Sequence, residues 1–274
     1  MSESKSAVLN GIEQLASVVA QDKLNFEEMS LLLTPLLALQ SASQKLHLAF
    51  TQQFGKLIDV LTEDQLDATI DGLQSMYYEL LMTTSVLLRL RTSDAMNHQR
   101  KLIELAAFIH EHLADPESAK RWKGAIHPGK LETSKRQKYK KRYQAHQLVD
   151  KHFKRSGSEQ GHLIGLNYDA SCFFVHPSVI YSRDRIVKNE RKYSLLSHDQ
   201  KTEETINTVV SLVIGVHGLF MALLDSLATV LDCFEEFDNE VWQTAIDEWT
   251  DVWEPLSEDN RLAFSSNSPP GFRA

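Results

Sequence analysis

Residues Thr62 to Arg91 read TEDQLDATIDGLQSMYYELLMTTSVLLRLR. Within them Leu66, Ile70, Leu73, Tyr77, Leu80 and Leu81, then Leu87 and Leu88, recur at steps of three and four, the period of one helix face. Thr62, followed three residues on by Gln65, makes a capping-box pattern that satisfies N–H groups a helix start leaves open. The stretch predicts a long amphipathic helix that breaks near Thr92-Ser93-Asp94.

The same reading extends in both directions. A second helix is expected from Ala95 to Leu113, stopping before Asp115-Pro116 because proline cannot continue the hydrogen-bond ladder. Asn25 with Glu28, and Ser197 with Gln200, offer further start signals. Asn239 reads as the cap of a short helix whose Trp242, Ile246, Trp249 and Trp253 share one core-facing stripe. Thr205 to Leu224 contains no Asp, Glu, Lys or Arg and approaches the length that spans a bilayer. Asn207, Ser211 and His217 interrupt it, and no aromatic belt or basic flank marks an orientation, so it is read as a central bundle helix. Gly215 and Gly218 are expected to admit a close neighbour there.

Strand signals are confined to short runs such as Ser178 to Tyr181. The expected fold is therefore all-α: a helical bundle with a basic insertion or arm and a disordered C-terminal tail. Residues 1–60 form an N-terminal helical segment packed on the bundle, and 61–264 form the main domain with the basic insertion at 119–160. The tail is 265–274, where Ser265 to Gly271 carry turn chemistry and no apolar period.

Charge is distributed unevenly. Lys120 to Arg155 hold 13 Lys or Arg against two acids, Glu132 and Asp150; this local +11 leaves −19 on the remainder of a chain whose net charge is −8. Trp122, Tyr139, Tyr143 and Phe153 are interleaved. Lys135, Arg136, Lys138, Lys140, Lys141 and Arg142 are candidate nucleic-acid-binding residues, able to neutralise phosphates while the tyrosines stack on unpaired bases. An acidic protein is the other expected partner. The bland alternative is a basic segment lying against the acidic body of its own fold.

Catalytic signatures are few. No Gly-rich phosphate loop, nucleophile elbow, His-Glu-x-x-His or EF-hand loop occurs, so no cofactor is expected. His110 and His112 are two apart and point to different helix faces, and the lone Glu-x-x-His at Glu159 and His162 is half of what a di-iron bundle needs, so no metal site is expected. Cys172 and Cys233 lie in apolar stretches and read as packed hydrophobes. The start Met1-Ser2-Glu3-Ser4-Lys5-Ser6 lacks a basic patch with an apolar core, so a cytoplasmic location is expected.

The most distinctive stretch is Tyr168-Asp169-Ala170-Ser171-Cys172-Phe173-Phe174-Val175-His176-Pro177-Ser178. On a helix Tyr168, Cys172 and His176 align, and Pro177 disfavours the α conformation at His176, which places that histidine near a helix end. There a protonated imidazole is favoured and can act as an acid or contact phosphate.

Upstream, Arg100-Lys101-Leu102-Ile103-Glu104 is an Arg-x-x-x-Glu helix segment. On these two motifs, residues 70–235 resemble the uncharacterised helical proteins of domain-of-unknown-function family 5677, a family with no established activity. A pocket of Arg100, Glu104, Tyr168 and His176 is also similar to that of helical HEPN ribonucleases, whose signature is Arg, four to six residues, then His on one helix. That spacing occurs at Arg121/His127, Arg155/His162 and Arg191/His198, but none reads as an uninterrupted helix. Two functional expectations follow: an interaction or regulatory protein working through residues 120–155, and, as the alternative, a metal-independent ribonuclease or toxin-type defence protein with Arg100, Glu104, Tyr168 and His176 as candidate catalytic residues.

Overall fold

Thr62 and Gln65 form the capping box. The Thr62 N–H donates to Gln65 Oε1 at 3.1 Å, and the Gln65 N–H donates to Thr62 Oγ1 at 3.3 Å. These contacts belong to a computed structural model that describes residues 16–30, 34–126, 144–175 and 202–267. The fold is all-α, with no strand among the described residues. In chain order the helices are α1 (16–30), α2 (Thr34–Gln53), α3 (Glu63–Leu88), α4 (Thr92–Ala114), α5 (Pro116–Ile126), α6 (Ala145–Val149, continuing as a π turn over Asp150–Lys154), α7 (Glu159–Val175), α8 (Glu203–Leu231) and α9 (Asn239–Asn267).

Helices α3 and α4 form a tight antiparallel pair. Gln65 joins them a second time, because its Nε2 donates to the carbonyls of His112 (3.2 Å) and Leu113 (2.9 Å) at the end of α4. At the opposite end the turn is a Schellman motif, with Leu90 N–H donating to Leu87 O and Arg91 N–H to Val86 O. Leu90 takes the left-handed position, φ 58°, that glycine usually fills, and its side chain is buried in return. Gly72 lets the pair close up: a Cβ there would lie 2.6 Å from Ile109 Cγ1.

Helix α8 packs against α2, α3, α4, α7 and α9, and its Val209, Val213, Val216, Phe220, Leu223 and Leu227 join the single large core. Trp242 and Trp249 on α9 are buried in that core, with Ile246 and Trp253 packed beside them, as the stripe predicts. Inside it a hydrogen-bond relay joins four helices. Trp249 Nε1–H donates to Ser43 Oγ (2.9 Å), which lies 2.7 Å from His217 Nδ1, while His217 Nε2 lies 3.3 Å from Thr84 Oγ1. Thr84 in turn donates to Leu80 O at 3.1 Å. Because Thr84 spends its one hydroxyl proton on Leu80 O, His217 Nε2–H donates to Thr84 Oγ1 and Nδ1 accepts from Ser43 O–H, so His217 is the neutral Nε2–H tautomer.

Several expectations are corrected. Asn25 is interior to α1 rather than a cap, and its Nδ2 donates to Arg89 O at 3.4 Å. The cap of α9 is Asp238, whose Oδ1 accepts from Val241 N–H at 3.0 Å, one residue before Asn239. That helix is not short: it passes Pro255 and reaches Asn267, and residues 268–274 lie outside the described set. Gly218 does admit Trp253, 3.3 Å from an added Cβ, but Gly215 faces open space. Cys233 is exposed rather than packed. Where described, the expected insertion contributes the end of α5, all of α6 and the first residues of α7; Pro116 starts α5, where its missing N–H costs nothing. Ser197 and Ser178 to Tyr181 fall outside the described residues.

Candidate functional site

Helix α4 presents a polar stripe to α6 and α7. Arg100 and Glu104, one turn apart, lie on it with Arg100 Nε 3.2 Å from Glu104 Oε1. Across the interface Tyr168 of α7, only 6% exposed, donates its O–H to the same Glu104 oxygen at 3.1 Å. Burial, and then the Glu104 charge, push the Tyr168 phenol well above its ordinary value, so it is a neutral donor and not a base. Lys154 covers the ring face, 5.5 Å from its centroid, and its Nζ donates to Asp169 at 2.6 Å.

Two turns along α4, Glu111 anchors a second cluster. Its Oε2 accepts from Lys151 Nζ (2.5 Å) and His152 Nε2 (2.8 Å), both on α6. Burial raises the Glu111 carboxyl, but those two hydrogen bonds outweigh it and hold the group below its usual value. Burial likewise lowers His152, so the charge facing Glu111 at neutral pH is that of Lys151. His110 stacks on His152 with centroids 5.4 Å apart, and its Nε2 lies 2.9 Å from Ser226 Oγ. Desolvation, with the neighbouring His152 adding to it, pushes His110 down to about 3. His112 turns the other way, its Nδ1 2.6 Å from Phe108 O, so the two histidines do occupy different faces.

Three of the four candidate catalytic residues, Arg100, Glu104 and Tyr168, thus meet at the α4–α7 seam. His176 follows the last residue of α7 and lies outside the described residues. Lys135, Arg136, Lys138, Lys140, Lys141 and Arg142 also lie outside them, as do Tyr139 and Tyr143. Of the interleaved aromatics, Trp122 packs edge-on to Phe108 (5.7 Å) and Phe153 is fully buried, so neither is a stacking surface for bases. Glu159 and His162 stand exposed in the first turn of α7, and among the described residues no group of His, Cys, Asp and Glu could hold a metal ion. Arg155 and His162 do not share a helix, since Gly157, at φ 75°, separates α6 from α7.

The sequence reading missed the Glu111 cluster. Its members are 40 and 41 residues apart in the chain, and no local spacing joins them.

Helical packing and this seam define an all-α bundle with a charge-compensated polar interface. No family model, curated protein or solved structure matches the chain.

Proposed function

We propose that the chain is a binding protein without turnover, in which an acidic helical bundle holds both ends of a basic segment and offers it to a polyanion. What supports this is the treatment of the flanking cations. Arg121 pairs with Asp115 (3.0 Å), Lys123 with Asp67, Asp64 and Glu63 (2.9, 3.1 and 3.2 Å), Lys151 with Glu111, Lys154 with Asp169, and Arg155 with Asp150 (2.5 Å). Those cations are spent inside the fold. Between them in the sequence, Lys130 to Arg142 hold seven cations against Glu132.

Single-stranded RNA is the partner class to test. With Lys135, Arg136, Lys138, Lys140, Lys141 and Arg142 each meeting a phosphate, the logarithm of affinity falls with that of salt at a slope of about −4. Replacing these six by Gln should abolish binding at low salt. Unchanged affinity in that variant, or a flat salt response, refutes the proposal; binding of an acidic protein but not RNA would redirect it to the other partner class.

Kinship with domain-of-unknown-function family 5677 and a cytoplasmic location belong to the same proposal. Cell fractionation checks the location, because α8 alone among the described residues is long and apolar enough to cross a membrane.

One observation favours a second reading, a metal-independent ribonuclease: Arg100, Glu104 and Tyr168 converge. In it His176 supplies the acid that the neutral Tyr168 and the depressed His110 do not. Purified protein that cleaves RNA equally well as His176→Ala removes this reading.

A further inference from the structure

Helix α2 has an outer face, yet its 20 residues contain no Asp, Glu or Arg and a single Lys, Lys45. A helix face left to water ordinarily carries more charge, and the middle of a protein interface less. The outward positions Ala38, Ser41, Lys45, Leu48 and Gln52 are all exposed. Their steps of three, four, three and four are the seam spacing of helices that pack along their length.

Beside that seam runs α9. Trp249 meets Ser43 at 2.9 Å and Trp242 meets Phe50 with ring centroids 5.0 Å apart, so α2 and α9 are antiparallel neighbours. The groove between them, about 680 Å3, takes its apolar lining from Ala42, Ala49, Ala245 and Val252, together with Leu48, which is 49% exposed. Its charges are Lys45 on the α2 side and Glu248 and Asp251 on the α9 side. Among the described residues none of these three forms an ion pair.

We propose that this groove is the interface of a symmetric dimer, filled by the same groove of a second copy. A two-fold axis at the level of Ser43 and Trp249 lays each α2 on the other copy's α9. Ser43 to Lys45 and Trp249 to Asp251 are equal steps in opposite directions along the groove. The rotation therefore brings Lys45 of one copy over Asp251 of the other, with Glu248 one turn away, and carries Leu48 onto the turn that starts at Val252. The dimer makes each contact twice, and a lone cation in an otherwise uncharged helix seam fixes its register.

The 20 residues of α2 run about 30 Å and two helices lie about 20 Å across, so each copy offers about 600 Å2, the lower end of a specific interface, and a dissociation constant of about 10 µM is expected. Helices α5 and α6, which bracket the basic segment, pack on α3, α4 and α7, away from the groove. The dimer thus carries two basic segments, and a polyanion long enough to reach both gains avidity. Dimerisation itself does not rest on what that segment binds.

The test is sedimentation equilibrium of the full-length protein from about 1 to about 200 µM, a range that brackets the expected dissociation constant. Wild-type protein should pass from monomer to dimer across it. Lys45→Glu alone, and Glu248→Lys combined with Asp251→Lys, each set like charges against one another across the interface and should weaken the dimer at least about tenfold. All three positions are exposed, so both variants keep the core, which unchanged far-UV circular dichroism checks. Mixed in equal amounts, the two variants should form a heterodimer about as strong as the wild-type dimer, because both of its charged contacts again join opposite signs. Wild-type protein that stays monomeric throughout overturns the proposal. So does a dimer that the charge variants leave unchanged, or a mixture that does not recover.

Discussion

Replacing Gln65 by Glu should destabilise the bundle far more than its size suggests. Gln65 is 4% exposed and uses both halves of its amide. Oε1 accepts the Thr62 N–H at 3.1 Å and so caps α3; Nε2 donates to His112 O and Leu113 O at 3.2 and 2.9 Å and so caps α4. A carboxylate keeps the first function and loses the second. Two buried carbonyls then lose a donor, at about 1–3 kcal/mol each, and a negative charge faces the negative end of α4. The expected loss is about 3–5 kcal/mol at neutral pH, read from the midpoint of urea unfolding at constant m-value. Thr62→Ala, which removes only the local cap, should cost about 1 kcal/mol. The pH dependence separates charge from geometry. Burial beside two carbonyls raises the introduced carboxyl's folded pKa above its unfolded value, so the deficit relative to wild type is largest above that folded pKa and shrinks as pH falls toward about 5. A loss below about 1 kcal/mol, or a deficit that grows on acidification, would refute the double-cap account.

His217 and His110, both held at about 3 chiefly by burial, make stability pH-dependent. An unfolded histidine titrates near about 6.5, so between these values the unfolded chain binds more protons and stability falls as pH falls, by up to about 1.4 kcal/mol per unit for each. Unfolding titrations from about pH 7 to about pH 5 test this; an unchanged midpoint contradicts it, and His217→Gln should reduce the slope. Ser43→Ala strips the partner from Trp249 Nε1–H and from His217 Nδ1 and should cost about 3 kcal/mol in the same assay. Gly72→Ala should destabilise by about 1–2 kcal/mol, because contact with Ile109 outweighs the gain in helix propensity, whereas Gly215→Ala, with open space around it, should stabilise by about 0.5–1 kcal/mol. Thermal melts of the two variants shifting in the same direction would contradict the close contact at Gly72 on α3 or the open space at Gly215 on α8.

Helices were legible wherever apolar period and breakers agreed. The expected 95–113 helix is Thr92–Ala114, and the expected 205–234 helix is Glu203–Leu231. What local spacing missed was settled by distant partners. Asn25-x-x-Glu28 has the chemistry of a cap, but Asn25 is bound by Arg89 O, 64 residues away, and Asp22 by a two-pronged contact from Arg91 at 2.9 and 2.7 Å. Thr62 and Gln65 disclosed the cap on α3, while the cap on α4 became visible only once the two helices were paired. Helix α5 was hidden in a basic stretch because the acids that hold Lys123, namely Glu63, Asp64 and Asp67, belong to α3.

The candidate site divides along the same line. Arg100 and Glu104 are a helical i,i+4 pair, so their contact could be read directly, and Tyr168 was found through its motif. That Tyr168 spends its proton on Glu104 is a fact of packing, and it changes the chemistry: a phenol raised by burial and by a carboxylate stabilises a seam and does not take a proton from substrate. The same compensation holds at Glu111, where Lys151 and His152 satisfy the carboxylate. A site meant for catalysis needs a group left poised for substrate, and each acid along the described seam already has its donor. By sequence, residues 130–142 carry seven cations against one acid, Glu132. Under the proposed function that local positive charge is what meets a polyanion, while the satisfied acids of the seam hold the flanks of the segment.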